Sequence, residues 1–445
     1  MKCILNNRCF FYFLTIQCFL GSSFKVAEAA PYHQRRSCPS SYTRRRAKKE
    51  RIPISINIID RNGLSETITA KDRLRSFGKI DFLSPQSYQK VMRTFRTKSG
   101  ITLGLITTYH PNGQLKQYLE TRNTSAYGSY KEWFSDGNKK LETYVTGGIP
   151  DISPSAERSW LFDGISYAWN ESGTKIAEIH YTKGSLEGLS YHYHANSQVW
   201  KICPFKKGQL HGIFAIYKNT GELLQSIPFY EGKRHGVSQR FWSKEQKASE
   251  EIFDQDLLIT GDYFNPHGLS LSSIRKGNGV KAIFSHSSLY QTQEHKQGKP
   301  DGLVTIFDPL CKHISQTYHI HNQLKDGPEL FFYPESSNVK LKLHWVAGLL
   351  NGSATSYYPD GKIKSEKEFQ ENKKQGILSC YYPNGDLMLI EEYSKDLLVK
   401  GEYFSLGDIN PSSKVTNGLG TASIFNEEGK LILSIFYQDG LPEVD

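Results

Sequence analysis

One pattern constrains this chain more than any other. A glycine is followed five residues later by an aromatic residue and then by a tight turn, and the set recurs from residue 104 to residue 425. The aromatics that open the turns are Tyr109, Trp133, Trp169, Tyr193, Tyr217, Phe241, Phe284, Phe307, Tyr333, Tyr357, Tyr381 and Phe425, and most steps are 24 residues. The glycines before them are Gly104, Gly128, Gly164, Gly188, Gly212, Gly236, Gly279, Gly302, Gly352, Gly376 and Gly420; in the remaining unit Pro328 takes the place, with Gly327 beside it. A second aromatic follows eleven or twelve residues after most opening ones, as at Tyr181, Phe205, Phe229, Phe369 and Tyr393. Self-similarity at this period marks a repeat array, in which each unit buries its surface against its neighbours. That removes the difficulty of fitting 445 residues around one core.

The spacing within a unit predicts a β-hairpin. In YYPNGDL (381–387), Pro383 presets φ for a type I turn, Asn384 tolerates the next position, and Gly385 accepts the left-handed conformation that follows. Gly113, Gly137, Gly173, Gly221, Gly361 and Gly429 hold the same place in other turns. The following run, DLMLIEEY, alternates as a returning strand does. A second loop of the form aromatic-x-x-Gly-x-x-x-Gly leads on, as in FKKGQLHG (205–212) and WVAGLLNG (345–352). One hairpin cannot bury a core, but consecutive hairpins pair edge to edge. The expected fold class is therefore all-β: an elongated array of antiparallel hairpins forming a single-layer meander sheet. The glycine at each strand start is expected to make room for an aromatic of a neighbouring unit. A longer period overlies the short one: residues 236–264 match 376–404 without a gap, an offset of 140, and each block ends in an atypical unit (261–279 and 401–420).

Composition divides the rest. Residues 1–29 read as a signal peptide: Lys2 and Arg8, the apolar run CFFYFLTIQCFL (9–20), and the cleavage pattern Ala27-Glu28-Ala29. Export to the periplasm, the cell envelope or the exterior is expected after cleavage near Ala29. Residues 30–52 form a basic linker, and 53–100 a capping segment ahead of the array at 101–445. The formal net charge is +10, yet the first 52 residues carry +9 of it. The body lacks the electrostatics that nucleic-acid binding requires. Residues 31–52 alone have the charge to meet an anionic membrane surface. Cys38, Cys203, Cys311 and Cys380 remain after the signal, too scattered for a zinc motif or a recognisable disulfide framework.

Few residues suggest chemistry. CKHISQTYHIH places Cys311, His313, His319 and His321 where two strands of one hairpin could converge on a metal. The repeat has no such set elsewhere, so solvated side chains on a sheet face are the preferred reading, with no metal and no cofactor. In YHYHA (191–195), Tyr191 and Tyr193 are expected in the core, with His192 and His194 exposed on the opposite face. Nucleophile elbow, P-loop and zinc-protease motifs are absent from the sequence. Glu250-Glu251 and Glu391-Glu392 are adjacent and so point to opposite faces of their strands. The expectation is a protein without enzymatic activity.

The Tyr-Tyr-Pro-Asn-Gly turn, the Gly-x-x-x-x-aromatic spacing and the Tyr-x-x-Gly-x-x-x-Gly loops resemble the bacterial variant of the MORN repeat (membrane occupation and recognition nexus), also labelled a YwqK-type antitoxin repeat. The resemblance extends over about residues 101–445. It implies stacked hairpins in one sheet and a scaffold that binds a protein partner through an extended aromatic-rich surface. A membrane-associated scaffold using the basic arm and an antitoxin-like neutralising binder are the alternatives. An export signal speaks against the last, since a cytoplasmic neutraliser needs none.

Overall fold

The computed structural model describes residues 53–285, 288–308, 313–334 and 336–443. The signal and the basic arm expected in 1–52 lie outside the described residues. The chain divides after Glu245 into two compact units. Among the described residues are 36 strands and two short helices, and the strand pairings are antiparallel.

In the first unit, β1 (Ser55–Ile59) pairs with β2 (Ser65–Ile68) and with β3 (Lys90–Arg96), with helix α1 (Lys71–Phe77) between β2 and β3. Ile56, Ile58, Ile68, Leu74, Phe82 and Val91 bury a small core there that also takes Tyr109 and Leu115. The hairpins follow: β4 (Thr102–Tyr109) and β5 (Leu115–Arg122), β6 (Ser125–Trp133) and β7 (Lys139–Val145), β8 (Phe162–Trp169) and β9 (Lys175–Thr182). Between β7 and β8 lies α2 (Pro154–Glu157). Next come β10 (Ser185–Leu186), β11 (Gly188–Tyr193), β12 (Val199–Lys206), β13 (Gln209–Leu210), β14 (Gly212–Tyr217), β15 (Leu223–Tyr230), β16 (Lys233–Arg234) and β17 (Gly236–Phe241). Since β3 pairs along its length with β4, the sheet continues from the N-terminal segment into the first hairpin.

The opening turns follow backbone geometry. In the YYPNGDL hairpin the Gly385 amide donates to the Tyr382 carbonyl at 2.9 Å and the Tyr382 amide to the Asp386 carbonyl at 2.9 Å. The seven turn glycines have φ between +78° and +100°, a region closed to most side chains. The opening aromatic sits at a β-bulge, as at Tyr109 and Tyr381. Except at Asn123-Thr124, the two-residue second loops have both residues left-handed, the form that matches strand twist. Lys207 and Gly208 have φ of +50° and +78°, and Asn322 and Gln323 have +49° and +68° where no glycine is present.

The turns are also stitched from unit to unit. At His110, His194 and Tyr358 the residue after the opening aromatic reaches the backbone carbonyl of the next opening aromatic. His110 Nε2 lies 2.9 Å from the Trp133 carbonyl, and the Tyr358 hydroxyl donates to the Tyr381 carbonyl at 2.8 Å. Turn asparagines add a second rung, Asn112 Nδ2 to the Ser135 carbonyl at 2.7 Å and Asn196 Nδ2 to the Asn219 carbonyl at 2.7 Å.

The repeat glycines do something different from the expectation. Gly164, Gly188, Gly212, Gly352, Gly376 and Gly420 face the second aromatic of their own hairpin, so there the ring does not come from a neighbouring unit, while Gly104 faces Thr121, Gly128 Val145, Gly279 His295 and Gly302 Ile320. All of them except Gly104 have φ between +78° and +140°. At some of them an added Cβ would also strike the preceding strand, lying 2.6 Å from Glu120 Cβ at Gly128 and 2.4 Å from Glu368 Oε2 at Gly376, whereas at Gly164 it would meet nothing within 4 Å. The Glu120 carboxylate accepts from the Ser129 amide at 3.0 Å beside Gly128, which is why it approaches so closely.

In the second unit the 140-residue offset appears as a repeated three-loop closure. The Gly277 amide donates to the Ile259 carbonyl, Gly298 to Gly277, and Leu258 to Gly298. Further on, Gly418 donates to Val399, Gly440 to Gly418, and Leu398 to Gly440. The atypical units are glycine-rich because these loops touch backbone to backbone; a Cβ on Gly277 would lie 2.5 Å from the Gly298 nitrogen. Each closure accompanies a buried carboxylate. Glu251, fully buried, accepts from the Tyr263 hydroxyl and pairs with Lys281 Nζ at 3.1 Å. Glu391 accepts from the Tyr403 hydroxyl at 2.7 Å and the Tyr393 hydroxyl at 3.1 Å.

Candidate functional site: a covered groove on the first unit

Strand alternation puts one continuous row of side chains across one face of the first unit. Cross-strand partners run Lys90–Thr108–Gln117–Glu132–Leu141–Ala168–Ala177–His192–Lys201 from β3 to β12. A parallel row contains Tyr130, Thr143, Ser166 and Ile179, in which the Thr143 and Ser166 hydroxyls share a hydrogen bond. The small residues Ala168, Ala177 and Ser166 leave depth above the middle of the sheet.

The insertion at 147–160 supplies a wall. Ser153 caps α2, its Oγ accepting from the Ala156 amide, and Pro154 begins the helix. Ile152, Ala156 and Trp160 turn inward and are buried. Trp160 meets the Tyr130 ring edge-on at 4.6 Å between centroids, and its Nε1 donates to the Ile149 carbonyl at 2.9 Å. Lys90 on β3 forms an ion pair with Asp151. The insertion is thus tied to the sheet by packing and by charge.

Between the insertion, the N-terminal segment and the sheet lies a groove of about 1000 Å³. Its lining runs from Arg61 and Lys90 at one end to Tyr193 and Trp200 at the other. Lys116, Lys140 and Arg158 add positive charge, against Glu132 and Glu157. Both carboxylates are engaged internally. Glu157 accepts from Gln117 Nε2 at 3.1 Å, Gln117 Nε2 also donates to the Tyr130 hydroxyl at 2.8 Å, Tyr130 donates to Glu132, and Glu132 pairs with Lys140 at 2.9 Å. Burial and the adjacent carboxylates hold the Tyr130 phenol well above its ordinary pKa, so it stays a donor. Arg61 donates to the carbonyls of Ser87, Tyr109 and His110. Lys116 and Arg158 are exposed and form no ion pair among the described residues. Burial, with Lys201 beside it, lowers the His192 pKa and favours the neutral imidazole.

The residues singled out from the sequence fall elsewhere or take other roles. Cys311 lies outside the described residues. His313 precedes the strand Ile314–His321; His319 and His321 share a face of it, with His321 Nδ1 2.9 Å from Asp301 Oδ2. Among the described residues no group of three or more His, Cys, Asp or Glu side chains is placed to hold a metal ion, and Cys203 and Cys380 are free thiols. The expected exposed pair in YHYHA is corrected. His192 faces the groove and is half-buried, while His194 lies past the strand end with Nε2 3.0 Å from the Tyr217 carbonyl. The insertion was legible only as a break in the period; Ile152 and Trp160, apolar within a polar loop, were the signal that it packs.

The first unit is a β-hairpin repeat array with a covered groove on one face. Four segments of the chain, 103–123, 186–207, 350–371 and 374–395, match the family model described as the MORN repeat variant. Each spans a repeat glycine, its turn and the returning strand. No curated protein matches the chain.

Proposed function

We propose that this protein is an exported, non-enzymatic scaffold of bacterial type that holds a protein partner along the covered face of its hairpin array. The observation that carries this reading is the groove of the first unit: non-identical side chains arrayed row by row on repeated hairpins, walled by a packed insertion. Repeats whose copies differ suit recognition, because each strand contributes its own side chain to an extended surface. The MORN-variant matches support a scaffold of paired hairpins. The basic arm at 31–52 is a second contact element, suited to an anionic surface near the site of export.

In-cell crosslinking of the tagged full-length chain, read by mass spectrometry together with cell fractionation, tests this. The expected result is one recurrent partner crosslinked through lysines of the first unit, in an envelope or secreted fraction. A chain confined to the cytoplasm, or one that turns over a substrate while crosslinking to nothing, sinks the reading.

A further inference from the structure

We infer that the groove of the first unit takes an extended acidic peptide segment, an assignment that rests on the scaffold reading above. Three observations converge. The row that floors the groove crosses nine strands from β3 to β12. At ~4.8 Å per strand that is about 38 Å, the reach of about a dozen extended residues at ~3.3 Å each. The carboxylates that line it are spent inward, Glu157 on Gln117 and Glu132 on Tyr130 and Lys140. Lys116 and Arg158 remain exposed without an ion-pair partner among the described residues, so the field offered to a ligand is positive. At the far end the half-exposed rings of Tyr193 and Trp200, each with a lysine (Lys175 and Lys201) over one face, leave aromatic surface for apolar contact.

Charge density separates the candidate occupants. A nucleic-acid strand of that length carries about eleven phosphates at ~3.4 Å spacing. The lining of the groove holds five cations, with Lys201 at the far end of the row, and Lys90 and Lys140 are already paired. A peptide with a few carboxylates toward the Lys116 end and apolar or aromatic residues toward Trp200 matches both the number and the placement of the groups. Ligand entry leaves the Glu157–Gln117–Tyr130–Glu132 chain intact, because the unspent cations do the recognising.

The test uses the full-length protein and four fluorescein-labelled probes in an anisotropy titration. They are the acidic dodecapeptide (Glu-Phe-Glu-Ala)3, its basic counterpart (Lys-Phe-Lys-Ala)3, an oligogalacturonate and a twelve-residue oligothymidylate. Binding is expected for the acidic peptide alone, weakening as salt rises. The exposed pair Lys116→Glu with Arg158→Glu should weaken it by about tenfold or more, with an unchanged melting temperature showing that the fold persists. Equal or tighter binding of any other probe, no binding of the acidic peptide, or an acidic-peptide affinity unmoved by the double variant overturns the inference. If a partner crosslinks along the covered face while the acidic peptide leaves the groove empty, this inference fails and the scaffold reading stands. Absence of any partner fails the scaffold reading itself.

Discussion

At the residue scale, glycine has two separate roles in this repeat, and they give opposite predictions. Gly128 combines φ of +129° with a Cβ path blocked by Glu120. Gly128→Ala should therefore destabilise the first unit by about 1–2 kcal/mol or more, the cost of a left-handed L-residue plus the clash. Gln323 adopts φ of +68° in an exposed turn. Gln323→Gly should relieve that strain and raise stability by up to about 1 kcal/mol. Urea midpoints of the two variants against the parent read both effects. His192 gives a pH prediction. Its folded-state pKa lies below the unfolded value of about 6.5. As pH falls through that value the unfolded chain takes up the proton first, so stability is retained above about pH 6.5 and lost below it. The parent should lose more stability than His192→Gln between about pH 7 and about pH 5. Equal losses would show that His192 does not contribute.

At the scale of elements, the insertion between β7 and β8 matters most, because a repeated hairpin by itself exposes the face that the insertion covers. Trp160 is 4% exposed and packs on Tyr130. Trp160→Ala should cost about 3–5 kcal/mol, the range for truncating a buried aromatic. The midpoint for the first unit should fall accordingly, and a loss below about 1 kcal/mol would mean the wall is only loosely docked. The hairpins themselves were largely legible. The turn residues of YYPNGDL and the alternation of DLMLIEEY act within a few bonds, so their conformations are local properties. The second loops were less so. Gln255-Asp256 and Asn322-Gln323 form the same left-handed turns as Lys207-Gly208, but there strand pairing on both sides imposes the conformation that glycine elsewhere makes easy.

At the scale of the whole molecule, a meander pairs each strand with its sequence neighbours, so a local defect should remain local. Glu251→Ala removes the carboxylate that pairs with Lys281 in a buried position, a change that typically costs about 3–5 kcal/mol. Hydrogen exchange should rise in residues 249–281 and stay unchanged in β4 to β9. Protection lost evenly along the chain would instead indicate one cooperative core.

The period, the hairpin, the turn type and the 140-residue duplication are written in the order of residues, because each depends on φ preferences and alternation between near neighbours. Tertiary structure alone decided which face of the sheet is covered. It put Glu251 beside Lys281 in one copy and Glu391 between two tyrosines in the other, turned His192 inward, and folded residues 147–160 over the first unit to make a groove. These depend on contacts between strands brought together by the accumulated register of several hairpins. No spacing within a single unit encodes that sum.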